Sequence, residues 1–211
     1  MQEQTIVVAV GVGIVLLLVT LIVHIWRKEG REATFFDENP ISGFWYNPAF
    51  EGLSRDYELV GCKRVKNGVG IIVSYIDENN AEIGEYKTQG GIADMHITLK
   101  DAQYTVTFPK GKYSRDLLLK QSGETLATYT RLGGTPPGRV AFAGGEAVFY
   151  TPRENSFTKI CPVKYWRDAS GALLATVFKP TTLDISLVRV IAIKKGLSPA
   201  LRAAVLAFYL V

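Results

Sequence analysis

Histidine and cysteine are nearly missing from this chain, with two of each among 211 residues. That scarcity removes most catalytic and metal chemistry, because a histidine-based metal site or a Ser-His triad has almost no material. Cys62 and Cys161 lack a CxxC spacing and have no base beside them in sequence, so a structural role is expected for each. They could pair in an oxidising space or stay reduced in a reducing one. Neither Gly90-Gly91 nor Gly144-Gly145 is followed by the Lys-Ser/Thr of a phosphate loop, which leaves them turn duty. No catalytic residue, metal site or cofactor is expected. Nor is nucleic acid, because aromatics do not interleave with the basic clusters in a stacking pattern.

Charge is missing altogether from one stretch. Thr5 to Trp26 contain no Lys, Arg, Asp or Glu, and Arg27, Lys28 and Arg31 come directly after. As a helix that run reaches roughly 33 Å, enough to cross a hydrocarbon core of about 30 Å. A cleaved signal would carry a basic start, a shorter apolar core and a small-residue cleavage site, whereas this chain begins Met1-Gln2-Glu3-Gln4. A retained single-span transmembrane helix is expected over 5–26, with Trp26, Arg27, Lys28 and Arg31 as its flank at headgroup level. Residues 1–4 precede it, 27–42 read as a juxtamembrane tether, and 43–211 read as one β-rich domain. The cations on the C-terminal side predict that this domain faces the cytosol. The absence of any Asn-x-Ser/Thr acceptor favours the same side. His24 falls at the membrane edge, and His96 on the polar face of a strand.

The chain beyond Pro40 is rich in Tyr, Phe, Val, Ile and Thr, punctuated by glycine, and about 170 residues long, the size of one domain with its own core. Alternating apolar residues predict four hairpins: Ile71–Ile76 with Ala81–Thr88, Met95–Leu99 with Gln103–Phe108, Leu117–Gln121 with Thr125–Arg131, and Val163–Asp168 with Leu173–Lys179. Gly133 to Gly138 must be loop, since Pro136 and Pro137 cannot donate to a ladder. Ser-Gly followed by Leu-Ala-Thr recurs at Ser122–Thr128 and Ser170–Thr176, and Asn80–Tyr86 is a weaker copy. Repeated hairpins point to an antiparallel closed or nearly closed barrel, because closure removes exposed edges.

Toward the C-terminus the charges thin out. Leu183 to Ile193 suits a helix capped by Asp184, or a strand on account of its β-branched residues, and the helix is narrowly preferred. Ser198-Pro199 gives a capping hydroxyl followed by proline at the first helical position, so Ala200 to Val211 reads as an apolar helix too short for a bilayer. The fold expected is mainly β, a barrel with one or two apolar C-terminal helices behind a single N-terminal span.

Lys164-Tyr165-Trp166-Arg167-Asp168-Ala169-Ser170-Gly171-Ala172-Leu173-Leu174-Ala175 resembles the aromatic, acidic, Gly, apolar strand pair of the tubby C-terminal-like superfamily, and Leu183–Leu187 resembles its helix start. That superfamily includes the phospholipid scramblases and the LURP-one-related proteins. The resemblance runs from about Phe44 to Val211 and implies a twelve-stranded barrel enclosing a hydrophobic helix. Scramblases carry their membrane segment at the C-terminus, after a proline-rich arm and a cysteine cluster, and this chain has neither. Only the barrel is therefore carried over.

Lys63, Arg64 and Lys66 form one basic cluster, Lys110, Lys112 and Arg115 a second, and Lys194 and Lys195 a third. Each cation near an anionic leaflet is worth about 1 kcal/mol, so these are the candidate lipid-binding residues. Expected partners are membrane lipids and other membrane proteins. A non-enzymatic, membrane-tethered module is the leading reading; a subunit of a membrane complex, using an exposed apolar tail, and a scramblase-like protein are its alternatives. Asn47-Pro48-Ala49-Phe50 resembles an adaptor-read sorting signal, yet reads better as a turn whose aromatics cover one end of the barrel.

Overall fold

A computed structural model describes residues 2–53, 56–65, 71–89, 94–100, 102–109, 116–132, 138–150, 163–180 and 187–209, with side chains in the first segment described from Val12 onward. A long helix α1 (Gln2–Glu38) leads through two short 3-10 turns, Ile41–Tyr46 and Pro48–Phe50, into a barrel. Its strands are β1 (Tyr57–Arg64), β2 (Ile72–Ile76), β3 (Glu82–Gln89), β4 (Asp94–Leu99), β5 (Ala102–Thr107) and β6 (Asp116–Gln121). The second half runs β7 (Glu124–Arg131), β8 (Gly138–Phe142), β9 (Gly145–Tyr150), β10 (Val163–Asp168), β11 (Leu173–Phe178) and β12 (Arg189–Lys194). Each strand pairs antiparallel with the next, and β1 closes on β12 through Leu59↔Ala192 and its neighbours. Helix α2 (Pro199–Phe208) ends the described chain.

The four predicted hairpins are β2–β3, β4–β5, β6–β7 and β10–β11. The recurring Ser-Gly motif hides two different turns. Ser122 and Gly123 both take positive φ, as a two-residue hairpin loop of the primed type requires. At β10–β11 only Gly171 does, and Asp168 Oδ1 accepts from the amides of Ser170 and Ala172. Asp77 holds the β2–β3 turn the same way, accepting from Asn79 and Ala81, with Asn80 in the left-handed position.

Two expectations change. Arg189–Lys194 is strand, not helix, and Asp184 lies outside the described residues. Its four central residues are all buried because both faces are covered, which yields an unbroken apolar run rather than alternation. The second change concerns 27–42: the segment read as a tether is helical as far as Glu38.

Inside the barrel, α2 supplies the core. Leu201, Ala203 to Phe208 and Tyr209 are each at most 5 % exposed, as an all-round apolar helix demands, and three alanines keep it slim enough for the lumen. Ser198 caps it by accepting from the Leu201 amide, and the Tyr75 hydroxyl donates to the Leu206 carbonyl at 2.8 Å. The tail that looked exposed in sequence is the barrel's filling.

A second apolar cluster lies outside the wall. Phe36, Ile41, Ala49 and Phe50 cover the outward residues Leu59, Ile76, Phe178, Val190 and Ala192. Phe44, Trp45 and Phe50 thus cover the flank made by β1, β11 and β12, not an end, while Tyr46 is exposed. Asn47 caps the turn by accepting from Ala49, and Phe50 is 1 % exposed, which ties up the sorting-signal residue. Among the described residues no helix is long and apolar enough to cross a membrane. The expected span is helical, and its large apolar side chains from Val12 to Trp26 are exposed.

Candidate functional site

The last turns of α1 are fastened to one end of the barrel. Arg64 at the C-terminal end of β1 reaches Glu29 at 2.5 Å, and Lys28 lies 3.9 Å from Glu32 one turn on. Glu32 is 2 % exposed, and neither carboxylate oxygen meets a donor in hydrogen-bonding geometry among the described residues. Burial pushes its carboxyl above the ordinary value, opposed by the charges of Lys28, Arg64 and Arg189 and by the nearby Leu187 backbone.

Around the same mouth, three strands turn cations toward the lumen. Strand alternation puts Arg131 on the face of Ala127 and Tyr129, Lys164 on that of Trp166, and Arg189 on that of Ile191 and Ile193, all lumen-facing. Burial brings Lys164 down to about 8, helped by the positive charges of Arg189 and Arg131. Arg189 is also lowered by burial, with Tyr209, Cys62 and Glu32 acting in the opposite direction. Cys62 is a buried free thiol pushed up to about 12 by burial, so it is protonated at neutral pH and no nucleophile. Cys161 lies outside the described residues.

The residues singled out from sequence separate into two groups. Trp26, Arg27 and Arg31 are exposed on α1, Lys28 sits in the joint, and Lys63 and Arg64 stand at the adjoining end of β1. Lys66, Lys110, Lys112 and Arg115 lie outside the described residues. The strand ends that flank them, Arg64 with Ile72 and Thr107 with Asp116, are at the end where α1 attaches. Lys194 and Lys195 are at the opposite end: Lys194 pairs with Tyr57, and the Lys195 amide donates to Asp56. They share no surface with Lys63 and Arg64.

Sequence reasoning missed Glu29, Glu32, Arg131, Lys164 and Arg189. For Arg131 and Lys164 a signal existed: each is a cation two residues from a large aromatic residue, Tyr129 or Trp166, on a strand legible in the sequence, hence on the inward face. The far end carries both signs of charge, with Asp56, Glu58, Asp77, Glu78, Glu82, Glu124 and Asp168 beside Lys100, Arg167, Lys194, Lys195 and Arg202 at its turns and strand ends. α1 thus joins the end at which Lys63, Arg64, Arg131, Lys164 and Arg189 gather. Comparison of the chain with family models, curated proteins and solved structures returns no match.

Proposed function

We propose that this chain is a non-enzymatic, single-pass membrane module whose barrel holds its basic end against an anionic lipid surface. One observation carries the reading: α1 meets the barrel, through Arg64–Glu29 and the buried Glu32, at the end where Arg131, Lys164 and Arg189 line the rim. If Thr5–Trp26 spans a bilayer, Arg27, Lys28, Arg31, Lys63, Arg64 and the rim cations Arg131, Lys164 and Arg189 stand nearest the headgroups. Several cations at about 1 kcal/mol each are enough to hold a domain already tethered there. The cations beyond Trp26 orient the barrel to the cytosolic side. A closed twelve-strand barrel around an apolar helix is also the architecture implied by the tubby-like resemblance, and supports that affiliation. The rival reading as a complex subunit drew on an exposed apolar tail, and that tail fills the lumen.

Hydrogen exchange of the full chain in nanodiscs tests the proposal. Backbone amides at the C-terminal end of β1 and the start of β10 should slow in discs containing anionic lipid relative to neutral ones, and the difference should shrink with added salt. The start of β1 and the end of β12 should not respond. Equal exchange in both lipid compositions would sink the proposal.

A further inference from the structure

At the end of the barrel opposite the joint with α1, the lumen is not filled. The first turn of α2 and the β4–β5 turn leave a cavity of about 250 Å3 between them. With liquid water at about 30 Å3 per molecule, this is room for roughly eight methylene-sized groups. Ile83, Leu99, Leu197 and Pro199 supply an apolar lining. The walls approach closely here because β3 carries Gly84, where any Cβ would sit 2.3 Å from the Thr98 carbonyl oxygen.

Three hydrogen-bond donors line the same cavity. Tyr104 on β5 is 4 % exposed, and its hydroxyl has no hydrogen-bond partner among the described residues. Lining the open cavity, that hydroxyl is placed to donate to a ligand's acceptor. Lys100 stands at the turn with positive φ, its amide bonded to the Ile83 carbonyl, so its side chain is carried on a fixed backbone. Arg202 is held in place by Glu58 at 2.9 Å and has further N–H donors to spare. Lys100, the spare N–H groups of the Glu58-paired Arg202 and the Tyr104 phenol around an apolar void complement an anion with a short hydrocarbon body.

We propose that this cavity is a binding site for a medium-chain carboxylate of about eight carbons. The hydrocarbon lies against Ile83, Leu99, Leu197 and Pro199, and the carboxylate accepts from Lys100, Arg202 and Tyr104. The site is separate from the lipid-facing end and does not depend on that reading.

Photolabelling of the full chain in nanodiscs with a diazirine-bearing octanoate tests it. Mass spectrometry should place the label on peptides spanning Leu99–Tyr104 and Leu197–Arg202. Unlabelled octanoate should compete at least about tenfold better than octanol, the margin worth about 1.4 kcal/mol that a charge-assisted contact supplies. Tyr104→Phe should reduce labelling severalfold without changing thermal unfolding, and Ala102→Phe, which fills the void, should abolish it. Label confined to α1, which reports partition into the bilayer, or equal competition by octanol, overturns the proposal. So does a Tyr104→Phe variant that folds and labels like the parent.

Discussion

Arg64 of β1 grips Glu29 of α1 at 2.5 Å, so the helix and the barrel meet through an ion pair whose partners are about a quarter exposed. Such a pair contributes only about 0.2–1 kcal/mol, and its consequence is orientation more than stability. We predict that Arg64→Glu broadens the distance distribution between spin labels on α1 and on the outer face of β1, while the melting temperature hardly moves. The double swap, Arg64→Glu with Glu29→Arg, should narrow it again. A distribution unchanged by the single charge reversal would show that the joint is held by Phe36 and its apolar neighbours alone.

Glu32 leads to a pH prediction. Its folded-state carboxyl is raised above the ordinary 4.5 by burial, so the folded chain holds a proton that the unfolded chain releases. The protein should therefore lose stability as pH climbs from about 4.5 through the raised value, as far as this residue is concerned. Glu32→Gln cannot release that proton, so it should match the parent at pH 4 and exceed it at pH 7. Denaturant unfolding at the two values measures the gap, and a gap of opposite sign refutes the reasoning.

Lys164 runs the other way. Burial and the charges of Arg189 and Arg131 bring its amine from 10.5 to about 8, so below pH 8 the cost of a charged lysine in the rim is fully present. Between pH 8 and 10.5 the folded form sheds its proton before the unfolded form does, and the parent gains stability. Lys164→Met should thus be more stable than the parent at pH 7 and lose that advantage by pH 10.5. In nanodiscs the same variant should show weaker slowing of exchange at the rim with anionic lipid.

Gly61 allows the outer aromatic cover to close. A Cβ there would lie 2.6 Å from Ile41 Cδ1 and 3.0 Å from Ile76 Cγ1, so Ile41 occupies the space a side chain would need. Gly61→Ala can be absorbed by a small turn of the Ile41 side chain. Gly61→Val cannot, and should cost about 1–3 kcal/mol, as overpacking does. Limited proteolysis should then cut within residues 40–53 earlier than in the parent, before the strands are attacked.

Why some of this was readable and some not depends on what each strand faces. Hairpins β4–β5 and β6–β7 have one wet face, so Tyr104 and Val106 alternate with polar neighbours and declare a strand, whereas β2 and β11, buried on both faces, are marked by the turn formers at Asp77–Asn80 and Ser170–Gly171. β12 carries Val190 and Ala192 toward the outer cover and Ile191 and Ile193 toward the lumen, and a run buried on both sides matches a helix equally well. The 27–38 segment reads as polar tether because only Phe35 and Phe36 are apolar over its last turns, yet those two aromatics dock it. As for the site, Lys63 and Arg64 are neighbours in sequence and visible. Arg131, Lys164 and Arg189 come from three distant strands and meet only once the barrel is closed.

The helix that fills the lumen is made after all twelve strands, and β1 finds its last partner only in β12. During synthesis the strands therefore have no core to close around, while the apolar Thr5–Trp26 run has long since left the ribosome. Contacts of such sequence separation form slowly, and unpaired β1 and β12 edges are open to other chains until they meet. A chain stalled before Phe208 should need a chaperone or a membrane to stay single, which makes the final ten-residue helix the step that releases the protein from assistance.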